Sequence, residues 1–173
     1  SKVLNVLGGV YKKQGKTEKA IETFKAQIAI DESLDDKKSL TIAWNRLGGV
    51  LEKQGKFKEA QQAFETEIDL AKSLDDKREL AIAWNCLGRV LEKQTALNEA
   101  QQAFEKQITI AKSLDDKREL AIAWNCLGGV LEKQEKLKEA EHAFEKTIKN
   151  TDFNDKKYLA LGWKRLERVQ KKR

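Results

Sequence analysis

Three pairs of neighbouring aspartates, Asp35-Asp36, Asp75-Asp76 and Asp115-Asp116, are the first residues of this chain that could do chemistry. Two carboxylates of unequal pKa can divide the work of a general acid and a general base. Each pair is followed at once by two cations, however. Asp76-Lys-Arg-Glu79 and Asp116-Lys-Arg-Glu119 have instead the spacing of a capping box. There the aspartate accepts from a free backbone N–H and the glutamate reaches back, contributing on the order of 1 kcal/mol. His142 stands alone among Glu141 and Glu145, and no set of nucleophile, base and orienting group exists. No catalytic residue and no enzymatic activity is expected. Cys86 and Cys126 lie forty residues apart. Packed helices roughly 8–10 Å apart exceed the roughly 7 Å reach of an unstrained disulfide, so two free thiols are expected. With no C-x-x-C pair and a single histidine, neither a metal site nor a cofactor is expected.

The cysteine spacing belongs to the whole chain. Leu7, Leu47, Leu87 and Leu127 recur at forty residues, as do Gly8, Gly48, Gly88 and Gly128, Ala20, Ala60, Ala100 and Ala140, and Phe24, Phe64, Phe104 and Phe144. A period of this size marks an array whose units bury their apolar faces against their neighbours. Within one unit, Leu40, Ala43, Trp44, Leu47, Val50 and Leu51 form the stripe of one amphipathic helix, and Phe57, Ala60, Phe64, Ile68, Ala71 and Leu74 that of a second. Period-two alternation is absent, so the chain is all-α. Gly15 and Gly55 stand where the first helix must reverse as a left-handed cap, and Thr95 and Glu135 replace them at about 1 kcal/mol each if the backbone is kept. The sequence divides into repeats 1–40, 41–80, 81–120 and 121–159 of a single repeat domain over 1–173, closed by a capping helix over 158–171 with a polar outer face.

Trp44-x-x-Leu47-Gly48-x-x-Leu51 followed by Ala60-x-x-x-Phe64, repeated at Trp84 and Trp124, resembles the tetratricopeptide repeat. The period is forty rather than 34 residues, similar to the repeats of kinesin light chains and of the Leu-Gly-Asn adaptor proteins. Where the family has a small residue three positions after the phenylalanine, this chain has Gln27, Glu67, Gln107 or Thr147. The resemblance implies a right-handed α-solenoid of antiparallel helix pairs, whose first helices line a concave groove that takes a peptide or protein.

Rows on the side of the first helix away from Trp44 would then floor that groove. Asn5, Asn45, Asn85 and Asn125 could pair with the backbone of an extended peptide, or bond between first helices and fix repeat register. Ile42, Ile82 and Ile122 give an apolar floor, or pack on the next unit. Gly9, Gly49 and Gly129 would leave room for a ligand backbone, or survive as relics of duplication. Arg46 and Arg89, with Lys2, would favour an acidic ligand, and Glu52, Glu92 and Glu132 share the same side. The tryptophans are assigned to the core.

The net charge of +6 sits almost wholly in the last ten residues, where Lys164, Arg165, Arg168, Lys171, Lys172 and Arg173 are opposed by Glu167 alone. A basic groove is therefore not expected, and neither is nucleic acid or a membrane as partner. The partner is expected to be a peptide or protein, not a small-molecule substrate. A structural spacer or self-assembly module is the alternative, since Val3, Leu4, Val6, Leu7 and Val10 give the first helix an apolar face that could make homo-oligomers. The chain lacks methionine and a span-length apolar run; it is read as an excerpt of a longer, cytoplasmic protein.

Overall fold

A computed structural model describes residues 2–152 and 154–173. Among these residues the chain forms nine helices and no strand: α1 (Lys2–Lys13), α2 (Thr17–Ser33), α3 (Lys37–Lys53), α4 (Phe57–Ser73), α5 (Lys77–Lys93), α6 (Leu97–Ser113), α7 (Lys117–Lys133), α8 (Leu137–Asn150) and α9 (Lys156–Lys172). Odd-numbered helices are the first of each repeat, even-numbered the second. Two compact units divide the chain, one ending at Val90 and the other running Leu91–Arg173, with the boundary inside α5. In the first, α2 packs on α1 and α3, and α4 on α3; in the second, α7 packs on α6 and α8, and α9 on α8.

The repeated phenylalanines explain the repeated glycines. Phe24, Phe64, Phe104 and Phe144 are fully buried. A Cβ at Gly8, Gly48 or Gly128 would lie 2.5, 2.7 or 2.6 Å from the ring of Phe24, Phe64 or Phe144. Only a bare helix backbone lets the ring lie this close, and burying each ring contributes roughly 3 kcal/mol. In α9, Glu167 takes the place of that glycine.

Both kinds of turn pass through the left-handed region. Gly15 and Gly55 do so at φ 74° and 76°, and Thr95 and Glu135 keep the same backbone at 62° and 61°, so these two turns carry the expected cost. The paired aspartates separate into two tasks. Asp35, Asp75 and Asp115 turn the chain at φ 49–51°, while Asp36, Asp76 and Asp116 cap α3, α5 and α7 by accepting from the backbone N–H of Ser39, Glu79 and Glu119 at 3.1, 3.1 and 3.0 Å. The capping box is half made. The N–H groups of Asp76 and Asp116 already donate to the carbonyls of Ala71 and Ala111, which leaves the Glu119 carboxylate to accept from Gln107 at 3.1 Å.

Two expectations need correction. Trp44, Trp84 and Trp124 are half-buried rather than core residues, with the ammoniums of Lys72 and Lys112 over the Trp84 and Trp124 rings at 5.9 and 5.7 Å. The outer face of α9 is not wholly polar, because Trp163 is 58 % exposed. Val3, Val6 and Val10 are exposed on α1, and Cys86 and Cys126 are free thiols. No helix among the described residues is long and apolar enough to cross a membrane.

Candidate interaction face on the first helices

The asparagines sit at the inner margin of the first helices. Asn5, Asn45 and Asn85 are half-buried, and Asn125 is buried. Asn45 donates its amide to Glu67 Oε1 at 2.9 Å. Glu67 lies wholly inside the protein on α4; burial pushes its carboxyl up to about 8, the Asn45 bond pulls it back, and nearby Glu79 adds to the rise. Asn45 also reaches the Cys86 thiol, which burial raises to about 12 and so keeps unreactive. Tyr158 is held up to about 12 by burial, against its bond to Asn125. The amide row expected to read a peptide backbone is therefore turned inward at Asn45 and Asn125. A buried carboxyl group needs a donor, and the amide of Asn45 supplies it.

Nor is the glycine row vacant. The space a Cβ would use is bordered by cations from neighbouring first helices: Lys12 Nζ lies 3.4 Å from that point at Gly49, Arg46 Nη1 3.4 Å at Gly9, and Arg165 Nη1 3.3 Å at Gly129. Arg165 also donates to the Asn125 carbonyl at 3.2 Å. A Cβ at Gly9 or Gly49 would stand in ordinary contact with these flexible side chains, and one at Gly129 slightly closer.

The acidic row is occupied by ion pairs within the protein. Arg89 Nη2 donates to both oxygens of the buried Glu52 at 2.7 Å. Lys133 bonds Glu92 at 2.9 Å, and Lys172 bonds Glu132 at 2.6 Å with Arg168 on the same carboxylate. Burial alone would raise Glu132, but hydrogen bonds from Lys172 and Arg168 hold it below the usual carboxylate range. Each acid thus takes a base from the next first helix, 36 to 41 residues on. The same pairing neutralises much of the basic terminus, where Arg173 bonds Glu141 at 2.7 Å and Lys171 bonds Glu167 at 2.6 Å. Arg89, expected to attract an acidic ligand, is held by Glu52 instead.

What stays open is the isoleucine row. Ile42 on α3 and Ile82 on α5 are 37 % and 40 % exposed, although Ala43, Leu47, Val50, Ala83 and Leu87 beside them are closed. The exposed cations Lys38 and Arg78 stand one turn before them. In the second unit Ile122 lines a pocket of about 620 Å³ with Tyr158, Lys117, Arg118 and Lys149. Leu161, 37 % exposed, holds the equivalent place on α9 after Lys157. Sequence reasoning missed Glu67, Lys12, Lys53, Lys133, Arg165, Arg168 and Lys172. Of these, Lys133, Arg168 and Lys172 were legible as bases about one repeat from an acid on the same helix face.

A family model of the tetratricopeptide repeat matches residues 1–74 and 79–151. The crystal structure of BtubC (BKLC) from P. vanneervenii is similar over 97 % of this chain and 70 % of its own, with a TM-score of 0.87 at 18 % identity. A Podosopora anserina protein described as a kinesin light chain with nearly identical TPR-like repeats is similar over 98 % of this chain and 85 % of its own, with a TM-score of 0.82 at 15 % identity. At these identities the likeness is one of fold. No curated protein matches the sequence.

Proposed function

Because the chain belongs to the tetratricopeptide repeat family, whose repeats generally mediate contacts between proteins, we propose that it is a scaffold taking a peptide or partner protein on the face of its first helices. The observation that carries this reading is the pair Ile42 and Ile82, left open on α3 and α5 while the apolar positions next to them are closed. An aliphatic side chain kept in water at the same place in successive repeats, with a cation one turn away, suits an apolar anchor flanked by acids. The Glu52–Arg89 ion pair ties α3 to α5 beside this anchor, which lowers the ordering cost of binding.

Selection of peptides from a random displayed library, followed by titration of a selected peptide by fluorescence anisotropy, tests the reading. Exchange of Ile42→Ser and Ile82→Ser together is expected to weaken binding about tenfold or more, as the loss of two partly buried aliphatic anchors requires, with an unchanged melting temperature. Full affinity in that variant would remove the face from consideration. Self-association through the exposed Val3, Val6 and Val10 of α1 is the alternative. It requires oligomers in sedimentation that survive the double exchange and disappear with Val6→Lys.

A further inference from the structure

The second helices carry a buried polar residue at one position, and in one repeat its chemistry conflicts with that of its neighbour. In the third repeat Gln107 and Glu119 stand twelve residues apart, and the Gln107 amide donates to the Glu119 carboxylate at 3.1 Å. In the second repeat the same two positions are Glu67 and Glu79, so an acid has replaced the donor. The first repeat has Ser39 in place of the second acid, and Gln27 donates to Asp31 instead, at 3.2 Å. Glu67 Oε1 accepts from Asn45 at 2.9 Å, but Oε2 is closed off from water and no donor among the described residues reaches it. A carboxylate oxygen left so is costly, whereas a carboxylic acid carries a donor of its own. The charged and titratable groups around this pair are Asp76 at the start of α5, the protonated Cys86 thiol, and Arg89, whose guanidinium is held by Glu52. Two carboxyl groups so placed do not readily ionise together.

We propose that Glu67 and Glu79 share one proton, the Glu67 carboxyl O–H donating to the Glu79 carboxylate as the Gln107 amide donates to Glu119, and that this proton latches α4 to the first turn of α5. The latch regulates the face proposed above and rests on that reading. Ile82 follows Glu79 by three residues on α5, and Ile42 precedes Asn45 by three on α3, so the Glu67 carboxyl group lies between the supports of both anchors. Loss of the proton to water removes one hydrogen bond and leaves two negative charges in a closed site, which releases the start of α5. The folded pKa of Glu67, about 8, is raised above that of the unfolded chain, so the latch holds at neutral pH and is lost as pH rises through 8. All of these residues lie in the unit that ends at Val90.

Carbon-detected NMR of the glutamate carboxyl groups, on the full chain from about pH 5 to about pH 10, reads the pair directly. Glu67 and Glu79 are expected to move together through a step near pH 8. Glu67→Gln, which recreates the arrangement of Gln107 and Glu119, should remove that step from the Glu79 signal, and Glu79→Gln should lower the Glu67 midpoint. A Glu79 signal that stays flat across the Glu67 step, or a Glu67 midpoint unmoved in Glu79→Gln, would overturn the shared proton. A library peptide selected at about pH 6.5 then tests the link to the face by fluorescence anisotropy. Affinity should fall about tenfold by pH 9, as the binding-competent population does one pH unit above the midpoint, and should stay constant in Glu67→Gln. An equal fall in that variant would mean that the peptide titrates and the latch does not control the face. Amide hydrogen exchange over residues 80–83 needs no peptide: at about pH 9 it should be faster in the wild type than in Glu67→Gln, and equal rates would count against the latch. A failed scaffold and a failed latch therefore give different results.

Discussion

At the seam between the helices of one repeat, position 24 reads phenylalanine in all four copies and each ring is fully buried. On the first-helix face, position 12 reads lysine, glutamate, glutamate and glutamate, and position 46 reads arginine, cysteine, cysteine and, on α9, arginine. The two regions share one helical register and differ in how tightly they are constrained. The seam has no free volume, since a single added carbon at Gly48 meets a ring at 2.7 Å. The face has long, partly exposed side chains that can reverse sign and keep the backbone unchanged. Identity at the phenylalanine position thus reflects packing, and the changes of charge at positions 12 and 46 mark places where the copies can acquire different partners.

The largest test of this contrast uses protons. Glu67 inside the seam and Glu132 on the face titrate in opposite directions from their ordinary values. For Glu67 the folded pKa, about 8, lies above that of the unfolded chain, so the folded state holds the extra proton. Its contribution is complete below about pH 4.5 and is lost as pH rises through 8. Chemical denaturation is expected to show a loss of about 2–4 kcal/mol between pH 5 and pH 8 from this group. Glu67→Gln, which copies Gln27 and Gln107 of the sister repeats, should remove most of that slope. A wild-type profile flat over this window would mean that the seam admits water at Glu67.

Glu132 is expected to give a smaller effect with the reverse sign. Its folded pKa is depressed, so its stabilisation is present at neutral pH and is lost as pH falls below the ordinary carboxylate range. Glu132→Gln should lower stability at pH 7 by about 1–2 kcal/mol, since a neutral amide keeps one hydrogen bond and loses the charge shared by Arg168 and Lys172. High salt should shrink this difference but leave the Glu67 slope in place, because a buried group is little screened. Equal salt sensitivity of the two would erase the distinction between seam and face.

Much of this was readable in the residues, and the rest was hidden for identifiable reasons. Helix pairs, turn positions, aspartate caps and free thiols follow from periodicity and local backbone chemistry, which a sequence records directly. The inward turn of Asn45 did not follow, because its environment is decided by Glu67, 22 residues away on another helix. An amide looks the same whether it meets a ligand or a buried acid. Arg89 was misread for a related reason: its partner Glu52 lies on α3, two helices back and almost one period away, and the helical wheel of a single helix cannot show it. Comparing positions 12, 52, 92 and 132 would have exposed both the ladder and its gap at Lys12.

Adjacent glycines offer the finest separation of the two regions. Gly48 and Gly49 share a helix and a solvent, and an alanine at either gains about 1 kcal/mol in helix propensity. At Gly48 the new carbon would overlap Phe64, which is fully buried and has nowhere to move; overpacking of this kind costs about 1–3 kcal/mol and outweighs the gain. At Gly49 the nearest atom is Lys12 Nζ at 3.4 Å, the end of a flexible side chain that can give way, so the propensity gain survives. Gly48→Ala is expected to destabilise the protein by about 1 kcal/mol and Gly49→Ala to stabilise it by up to about 1 kcal/mol, both measured by urea denaturation at one pH. Destabilisation by both exchanges would mean that the face is packed as tightly as the seam, and stabilisation by both that the seam yields to the added carbon.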